Sequence, residues 1–333
     1  MKQLPKQPFV TTVEYLDYPE FVERATVLYD GDESVAGQLK LLIRILQAAR
    51  STRILLLNGP SGTLKPDLLA AAVLGFWRKT SRPLIVIMGD VWQKDPGIHG
   101  LVQKFLLRLA DRAISRYLPL SAEEIPEFSR AWGIPENKAR YLPYFYTITQ
   151  QDLNAPEPAP ESFVFSGGNA FRDYESLLKA AEALPDQLFV IASSVLDGRK
   201  LPPNAKAGHV SRPEFIRLMR ASRLVVVPNR QDIIRSVGQQ TYLNAMMLGK
   251  PTIINRSLGV CDYVRPNETA LVVDGTPENY VQAIRWVLDE ANRPAVDRMC
   301  RTARESVLRN FSFENHCEAL LRNIDEVFRE YSN

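Results

Sequence analysis

The chain has 333 residues, 45% hydrophobic and 24% charged, the range of ordinary folded protein, which excludes a disordered, collagen-like or coiled-coil chain. Its formal net charge of +3 lacks the clustered basic excess of a nucleic-acid binder, so no nucleic-acid partner is expected. No apolar run approaches the roughly 18–20 residues of a spanning helix, the first residues (MKQLPKQPFVTTVEYLDYPEF) lack the apolar core of a secretory signal, and Cys261, Cys300 and Cys317 form neither a disulfide framework nor a zinc pair, so a reducing cytoplasm is the expected setting.

In chain order, Ala25–Tyr29, Arg53–Leu57 and Leu84–Met88 read as buried strands, with helical patterns at Val35–Ala49, Pro66–Arg78 and Ile98–Tyr117. Residues 147–161 (TITQQDLNAPEPAPE) carry prolines that neither a helix interior nor a central strand tolerates. They are expected to link a domain at 1–146 to one at 162–333, whose last helix could cross back. The second half alternates strands (Phe163–Ser166, Phe189–Ala192, Leu224–Val227, Thr252–Ile254, Ala270–Val273) with helices (Tyr174–Ala183, Glu214–Ala221, Gly238–Met247, Pro277–Glu290, Phe313–Tyr331). Continuous apolar strands between helices imply parallel sheets covered on both faces. The expected fold class is therefore α/β, with two doubly wound parallel-sheet domains facing across a cleft. Ligands in such sheets bind at the C-terminal strand ends.

Several first-half motifs imitate catalytic ones. Gly59–Pro66 (GPSGTLKP) approaches a phosphate-binding loop, but Leu64 and Pro66 stand where a glycine and a magnesium-holding hydroxyl belong. Asp30-Gly31-Asp32 could hold a divalent ion on a sugar-nucleotide diphosphate, but Asp-Gly is also a turn dipeptide. His99, His209 and His316 lack ligand spacing, so no resident metal or other cofactor is expected.

The second half carries more chemistry. In FVFSGGNAFRDYESLL an apolar strand runs into Gly167-Gly168 and a helix begins near Asp173. Glycines there allow backbone amides to approach a phosphate, the helix start offers unpaired N–H groups, and Arg172 can fork two phosphate oxygens. A tight turn with Arg172 on the surface is the alternative. In LVVVPNRQDIIRSVGQQTYLNAMMLGKPTII a second polar loop, through Ser236 and Gly238, opens another helix. Two helix starts beside an arginine suit a diphosphate.

Three stretches, SGGNAFRDYESLLKA, SVGQQTYLNAMMLGKPTII and NRSLGVCDYVRPNETALVVDGTPENYVQAIRWVLD, together resemble the donor-binding domain of glycosyltransferase family 4, the group 1 glycosyltransferases of GT-B architecture. The resemblance implies transfer of a sugar from a UDP-, GDP- or ADP-sugar to a glycan or lipid-linked acceptor, with retention and without a metal, as in polysaccharide biosynthesis. It places Arg172 and Asn169 where the family has a lysine and an arginine on the diphosphate. Asn244 stands at the second acidic position, which bonds ribose hydroxyls. Ser236, or Arg235 if aligned on Gly238, stands at the first. It also implies amide donors from Gly168, Gly238, Gln239 and Gln240 near phosphate and sugar, nucleobase contacts at His209 and Val210, and Asp262 behind the donor.

Arg172 is the expected catalytic charge stabiliser. Asp90, at the end of LIVIMGD, is the candidate base of the first half. Along Ile98–Tyr117, Lys104, Arg108, Arg112 and Arg116 recur every four residues beside Leu101, Val102 and Phe105. That stride is expected to serve peripheral binding to the inner face of a membrane or to be a solvated face of a core helix. Two further readings remain: a non-catalytic subunit or sugar-nucleotide-binding module, which the missing carboxylates favour, and a sugar-nucleotide epimerase.

Overall fold

Short aliphatic runs that cannot satisfy their own backbone groups pair side by side, and helices cover both faces of the resulting sheets. A computed structural model describes residues 6–59, 62–89, 93–94, 97–156, 158–159 and 161–332. The chain divides into two units, Met1–Pro143 with Glu314–Asn333, and Tyr144–Phe313.

The first unit holds β1 (Phe9–Thr11), α1 (Pro19–Arg24), β2 (Ala25–Val27), α2 (Val35–Ala48), β3 (Ile54–Asn58), α3 (Pro66–Leu74), β4 (Leu84–Met88), α4 (Gly97–Asp111), β5 (Ile114–Leu118) and α5 (Glu124–Trp132). Its strands are parallel in the order β2-β1-β3-β4-β5. Successive side chains point to opposite faces. Leu55, Leu57, Ile85 and Ile87 pack on Leu41, Ile45, Leu68 and Leu107 of α2, α3 and α4. Ile54, Leu56, Val86 and Met88 pack on Phe21 of α1 and on Leu320, Leu321, Ile324 and Val327 of the terminal helix, Phe313–Ser332.

One expectation changes here. The helix expected over Ile98–Tyr117 ends at Asp111, and residues 114–118 form the edge strand β5. Arg116 therefore leaves the basic stride. It is buried in β5, with Nη2 donating to Glu330 Oε2 at 2.6 Å and Nη1 3.4 Å from Glu326 Oε2. A buried cation is tolerated when carboxylates neutralise it, and those acids lie about two hundred residues away in sequence, beyond any local pattern. The Asp30-Gly31-Asp32 segment is a turn into α2: Asp30 pairs with Arg44 at 2.8 Å, and Asp32 Oδ1 accepts from Ser34 N at 3.0 Å.

The second unit holds α6 (Gln150–Asn154), β6 (Phe163–Gly167), α7 (Tyr174–Glu182), β7 (Leu188–Ala192), β8 (Ala205–Gly208), α8 (Arg212–Ala221), β9 (Leu224–Val227), α9 (Gln239–Met247), β10 (Thr252–Asn255), β11 (Leu271–Val273), α10 (Pro277–Leu288) and α11 (Arg293–Asn310). Its sheet is parallel in the order β11-β10-β9-β6-β7-β8. From β6 the chain builds outward through β7 and β8, then returns to β9 and builds the other way. The order reverses between β6 and β9, and the crevice beyond such a reversal is where ligands bind in sheets of this kind. Residues 147–161 lie within this unit: Thr149 caps α6 in a capping box, and Arg212 of α8 holds Asp152 at 2.8 Å. The doubly wound parallel sheets expected from the sequence are present in both units.

Candidate functional site

The loops that leave β6 and β9 are laced together. Asp173 N donates to Pro228 O at 2.7 Å and Arg230 N to Phe171 O at 2.9 Å, and Arg172 bridges to Asn229. Gly168 has φ +109°, and a Cβ there would lie 2.9 Å from Arg172 Nη2. Only a residue without a side chain lets the guanidinium lie across the loop this closely. Phe171 sits at φ +51°, a conformation disfavoured for a bulky residue and held by the surrounding bonds.

Arg172 is half-buried. Its Nε donates to Gly167 O at 3.3 Å, Nη1 to Ala170 O at 2.7 Å and Nη2 to Thr241 Oγ1 at 3.2 Å. These bonds engage three of the five N–H donors of a guanidinium. Burial pulls its pKa below the usual arginine value; the group stays cationic. Arg235 lies with its guanidinium carbon 5.3 Å from the Phe171 ring centroid, and burial pulls it down to about 10. Two cationic side chains thus frame the strained loop.

The expected pair of open helix starts becomes one. α7 is capped by its own Asp173, whose Oδ1 accepts from Ser176 N at 3.2 Å, with Glu175 in its first turn. A carboxylate already occupies the positive end of that dipole. α9 has no capping side chain and no acid in its first turn, and Gly238 at φ +86° precedes it. Thr241, in its first turn, accepts from Arg172 Nη2.

The loop after β9 is held by a buried asparagine pair. Asn229 N donates to Asn255 Oδ1 and Asn255 Nδ2 to Asn229 O, each at 2.6 Å, while Asn229 Nδ2 donates to Val237 O at 3.0 Å and Ser257 Oγ at 3.2 Å. The Asn229 amide lies against the bare Cα of Gly238, where a Cβ would meet Oδ1 at 2.7 Å.

The other sequence-derived residues are dispersed. Asn169 Oδ1 accepts from Ser193 Oγ at 2.9 Å and Ser194 N at 3.0 Å, holding the loop after β7. Ser236 is buried and accepts from Gln239 Nε2. Gln240 is exposed and donates to Thr147 Oγ1 at 3.0 Å. Asn244 is buried, its Oδ1 accepting from Thr147 N at 2.7 Å and its Nδ2 donating to Thr147 Oγ1 at 3.0 Å. Both amide atoms expected for ribose hydroxyls thus hold residue 147. His209 is exposed and Val210 half-exposed just after β8, the strand farthest from β9 on that side. Asp262 ends a short turn of 3-10 helix. Asp90 lies outside the described residues. Among the described residues no group of three or more His, Cys, Asp or Glu could hold a metal ion. A groove of about 740 Å³ along β11, α10 and α11, lined by Trp286 and Arg298, contains none of the site residues.

Residues 206–306, which span most of the second unit including β9 and α9, match the family described as "Glycosyl transferases group 1". Solved structures match over nearly the whole chain. HepE of Anabaena, in complex with UDP, aligns with TM-score 0.68 and 15% identity over 97% of this chain and all of its own. Sucrose-phosphate synthase of Thermosynechococcus elongatus aligns with TM-score 0.66 and 15% identity over 92% of this chain and 84% of its own. A glycosyltransferase of Rickettsia africae aligns with TM-score 0.64 and 12% identity over 97% and 90%. The fold is that of the GT-B glycosyltransferases. Among curated proteins nothing matches. The group 1 segment and the GT-B fold support a glycosyltransferase, as the sequence resemblance implied; the finer assignment to family 4 remains a resemblance. Sequence reasoning did not single out Thr241, Asn229 or Phe171. Asn229 stands at a strand end beside Pro228, and that position was its one local signal.

Proposed function

We propose that the protein transfers a sugar from a nucleoside-diphosphate sugar to an acceptor hydroxyl, and that the diphosphate lies between Arg172 and the start of α9. The observation that carries this reading is the guanidinium of Arg172 lying across Gly168 and bonded to Thr241 in the first turn of α9. A cation and an uncapped helix start then address one point. In the transfer, the bond from the anomeric carbon to the diphosphate breaks and its electron pair stays on the phosphate oxygen. The acceptor oxygen forms the new bond and passes its proton to the departing diphosphate oxygen. Pre-aimed donors lower the barrier because charge grows on the diphosphate as the bond stretches. Retention, without a dedicated protein base, is the course the resemblance implies, and a glycan or lipid-linked acceptor is its expected partner. HepE was solved with UDP and with UDP-glucose, and TarM of S. aureus with UDP and alpha-GlcNAc-glycerol, which supports UDP as the first nucleotide to try.

A thermal-shift panel of UDP, GDP and ADP tests the reading, since a ligand at about 100 times its Kd stabilises by about 2.7 kcal/mol. One diphosphate is expected to raise Tm by several degrees; no response at millimolar concentration from any of them contradicts it. A second reading, a sugar-nucleotide-binding subunit without turnover, is favoured by Ser236 and Asn244 in place of carboxylates and by the engagement of Asn244 with Thr147. Binding of a sugar nucleotide without slow hydrolysis of any donor would select it.

A further inference from the structure

The groove along β11, α10 and α11 has a lining that the core does not explain. β11 is an edge strand of the second unit's sheet, paired with β10 on one side. α10 turns Tyr280, Ala283, Ile284 and Val287 inward, whereas Asn279, Gln282 and Trp286, at i, i+3 and i+7, share its groove side. Trp286 is 37% exposed, although an indole is on average well covered. In the turn before β11, Asn267 sits at φ +63°, a conformation asparagine tolerates. Its N–H donates to Ala270 O at 2.8 Å, which fixes the residue where it meets the groove.

The polar side chains here are uncommitted. Those of Asn267, Asp274, Asn279, Gln282 and Arg298 hold no hydrogen bond or ion pair with any described residue. By contrast, Arg212, Arg217 and Arg230 of the same unit are each matched by a carboxylate, from Asp152, Glu214 and Asp232. The charges of the groove cancel. Glu268 pairs with Arg265 at 2.8 Å, and Asp274 and Arg298 supply one of each sign. An anionic ligand would meet Asp274 and a cationic one Arg298, so a neutral ligand rich in hydroxyls suits the lining better than either.

We propose that this groove binds a short neutral oligosaccharide, with one sugar ring stacked on Trp286 and its hydroxyls taken up by the amides, Asp274 and Arg298. Each ring carbon of a sugar bears an oxygen, so its hydrogens carry partial positive charge, and the face of an indole is the negative lobe of its quadrupole. Stacking the two also removes apolar area from water. Hydroxyls both donate and accept. Amides answer in both senses, a carboxylate accepts and a guanidinium donates, so this set meets neighbouring hydroxyls in either orientation. The volume of about 740 Å³ lies within the roughly 300–1,000 Å³ of small-molecule sites and exceeds what one ring fills. Arg172, Gly168, Thr241 and Asn229 do not line the groove, so the saccharide is retained there without reacting, away from the place where an acceptor would meet the donor. The proposal does not rest on the sugar-transfer reading, and each can fail alone.

Titration of the full chain with maltotetraose, cellotetraose, mannotetraose and tetra-N-acetylchitotetraose tests it, followed by tryptophan emission and by calorimetry. At least one is expected to bind with a Kd of about 1 mM or tighter. Trp286→Ala is expected to weaken that binding about tenfold and Gln282→Ala several-fold, with Tm and the affinity for UDP unchanged in both. Both side chains are exposed, and circular dichroism checks the fold of each variant. No binding of any of the four at millimolar concentration overturns the proposal. Binding that survives both substitutions places the saccharide elsewhere and overturns it, as does a matching loss of UDP affinity in Trp286→Ala, which would make the groove part of the donor site. Sedimentation velocity covers the other occupant: a dimer that Trp286→Ala converts to monomer assigns the groove to a second copy and overturns it too.

Discussion

Arg172 Nη2 donates to Thr241 Oγ1 at 3.2 Å, which ties the loop after β6 to the first turn of α9 across the point where the strand order reverses. The same guanidinium is anchored on Gly167 O and Ala170 O, so its position is fixed before any ligand arrives. Pre-organised charge of this kind is worth more than a flexible surface cation, because no reorganisation is needed when the leaving group departs. Arg172→Ala is expected to lower donor turnover about 100-fold or more, and Arg172→Lys to recover only part of it, since an ammonium cannot reproduce the planar fork. Steady-state kinetics on the donor that the thermal-shift panel selects checks both.

Gly168→Ala tests the close approach without removing a charge. Its φ of +109° and the 2.9 Å approach of Arg172 Nη2 to a new methyl force either the backbone or the guanidinium to move. The expected cost is on the order of 1–3 kcal/mol, read as a lower Tm and a weaker nucleotide affinity. Gly208→Ala is the control: nothing lies within 4 Å of a Cβ there, and Tm is expected to stay near the wild-type value.

The Asn229–Asn255 pair gives a third test. Asn255→Ala removes both 2.6 Å bonds; Asn229 N keeps a longer bond to Val227 O at 3.2 Å, while Asn229 O loses its amide donor. An unsatisfied buried group costs about 1–3 kcal/mol, so chemical denaturation is expected to show a loss of roughly 1–3 kcal/mol. Nucleotide affinity is expected to fall with it, because the loop after β9 loses its anchor.

How much of this could be read in the chain depends on range. Leu55 and Ile85 announce buried strands because every neighbour on the strand is apolar, and Gly168, Arg172 and Gly238 announce a polar turn at strand ends because glycine and arginine break an apolar pattern there. Arg116 misled, because its burial depends on Glu326 and Glu330 in the terminal helix, and a basic residue at a four-residue stride looks helical without them. β1 was missed since Phe9–Thr11 is only three residues long. The role of Asn244 was set by Thr147, almost a hundred residues earlier, and the closing of the α7 start by Asp173 is a matter of side-chain geometry rather than residue type.

Acid stability should report on His316. It is buried, Nδ1–H donates to Pro143 O at 2.6 Å, and Nε2 accepts from Tyr15 OH at 2.9 Å, a pattern that suits the neutral ring. Burial lowers its pKa to about 4 from the model-peptide value of 6.5. The unfolded chain therefore binds a proton between those values that the folded chain refuses, so stability is full above pH 6.5 and falls as pH drops toward 4. The loss integrates to roughly 3 kcal/mol. Urea titrations across that window are expected to show this fall, and His316→Gln to flatten it; an unchanged slope in the variant contradicts the assignment to His316.

The most direct measurement of the central claim is calorimetric binding of UDP and of uridine to the wild-type chain and to Arg172→Ala. If the diphosphate is held between Arg172 and the α9 start, UDP binds the wild type far more tightly than uridine does, and Arg172→Ala removes most of that difference while leaving the affinity for uridine unchanged. Equal affinity for UDP and uridine in the wild type, or undiminished UDP binding by Arg172→Ala, contradicts it.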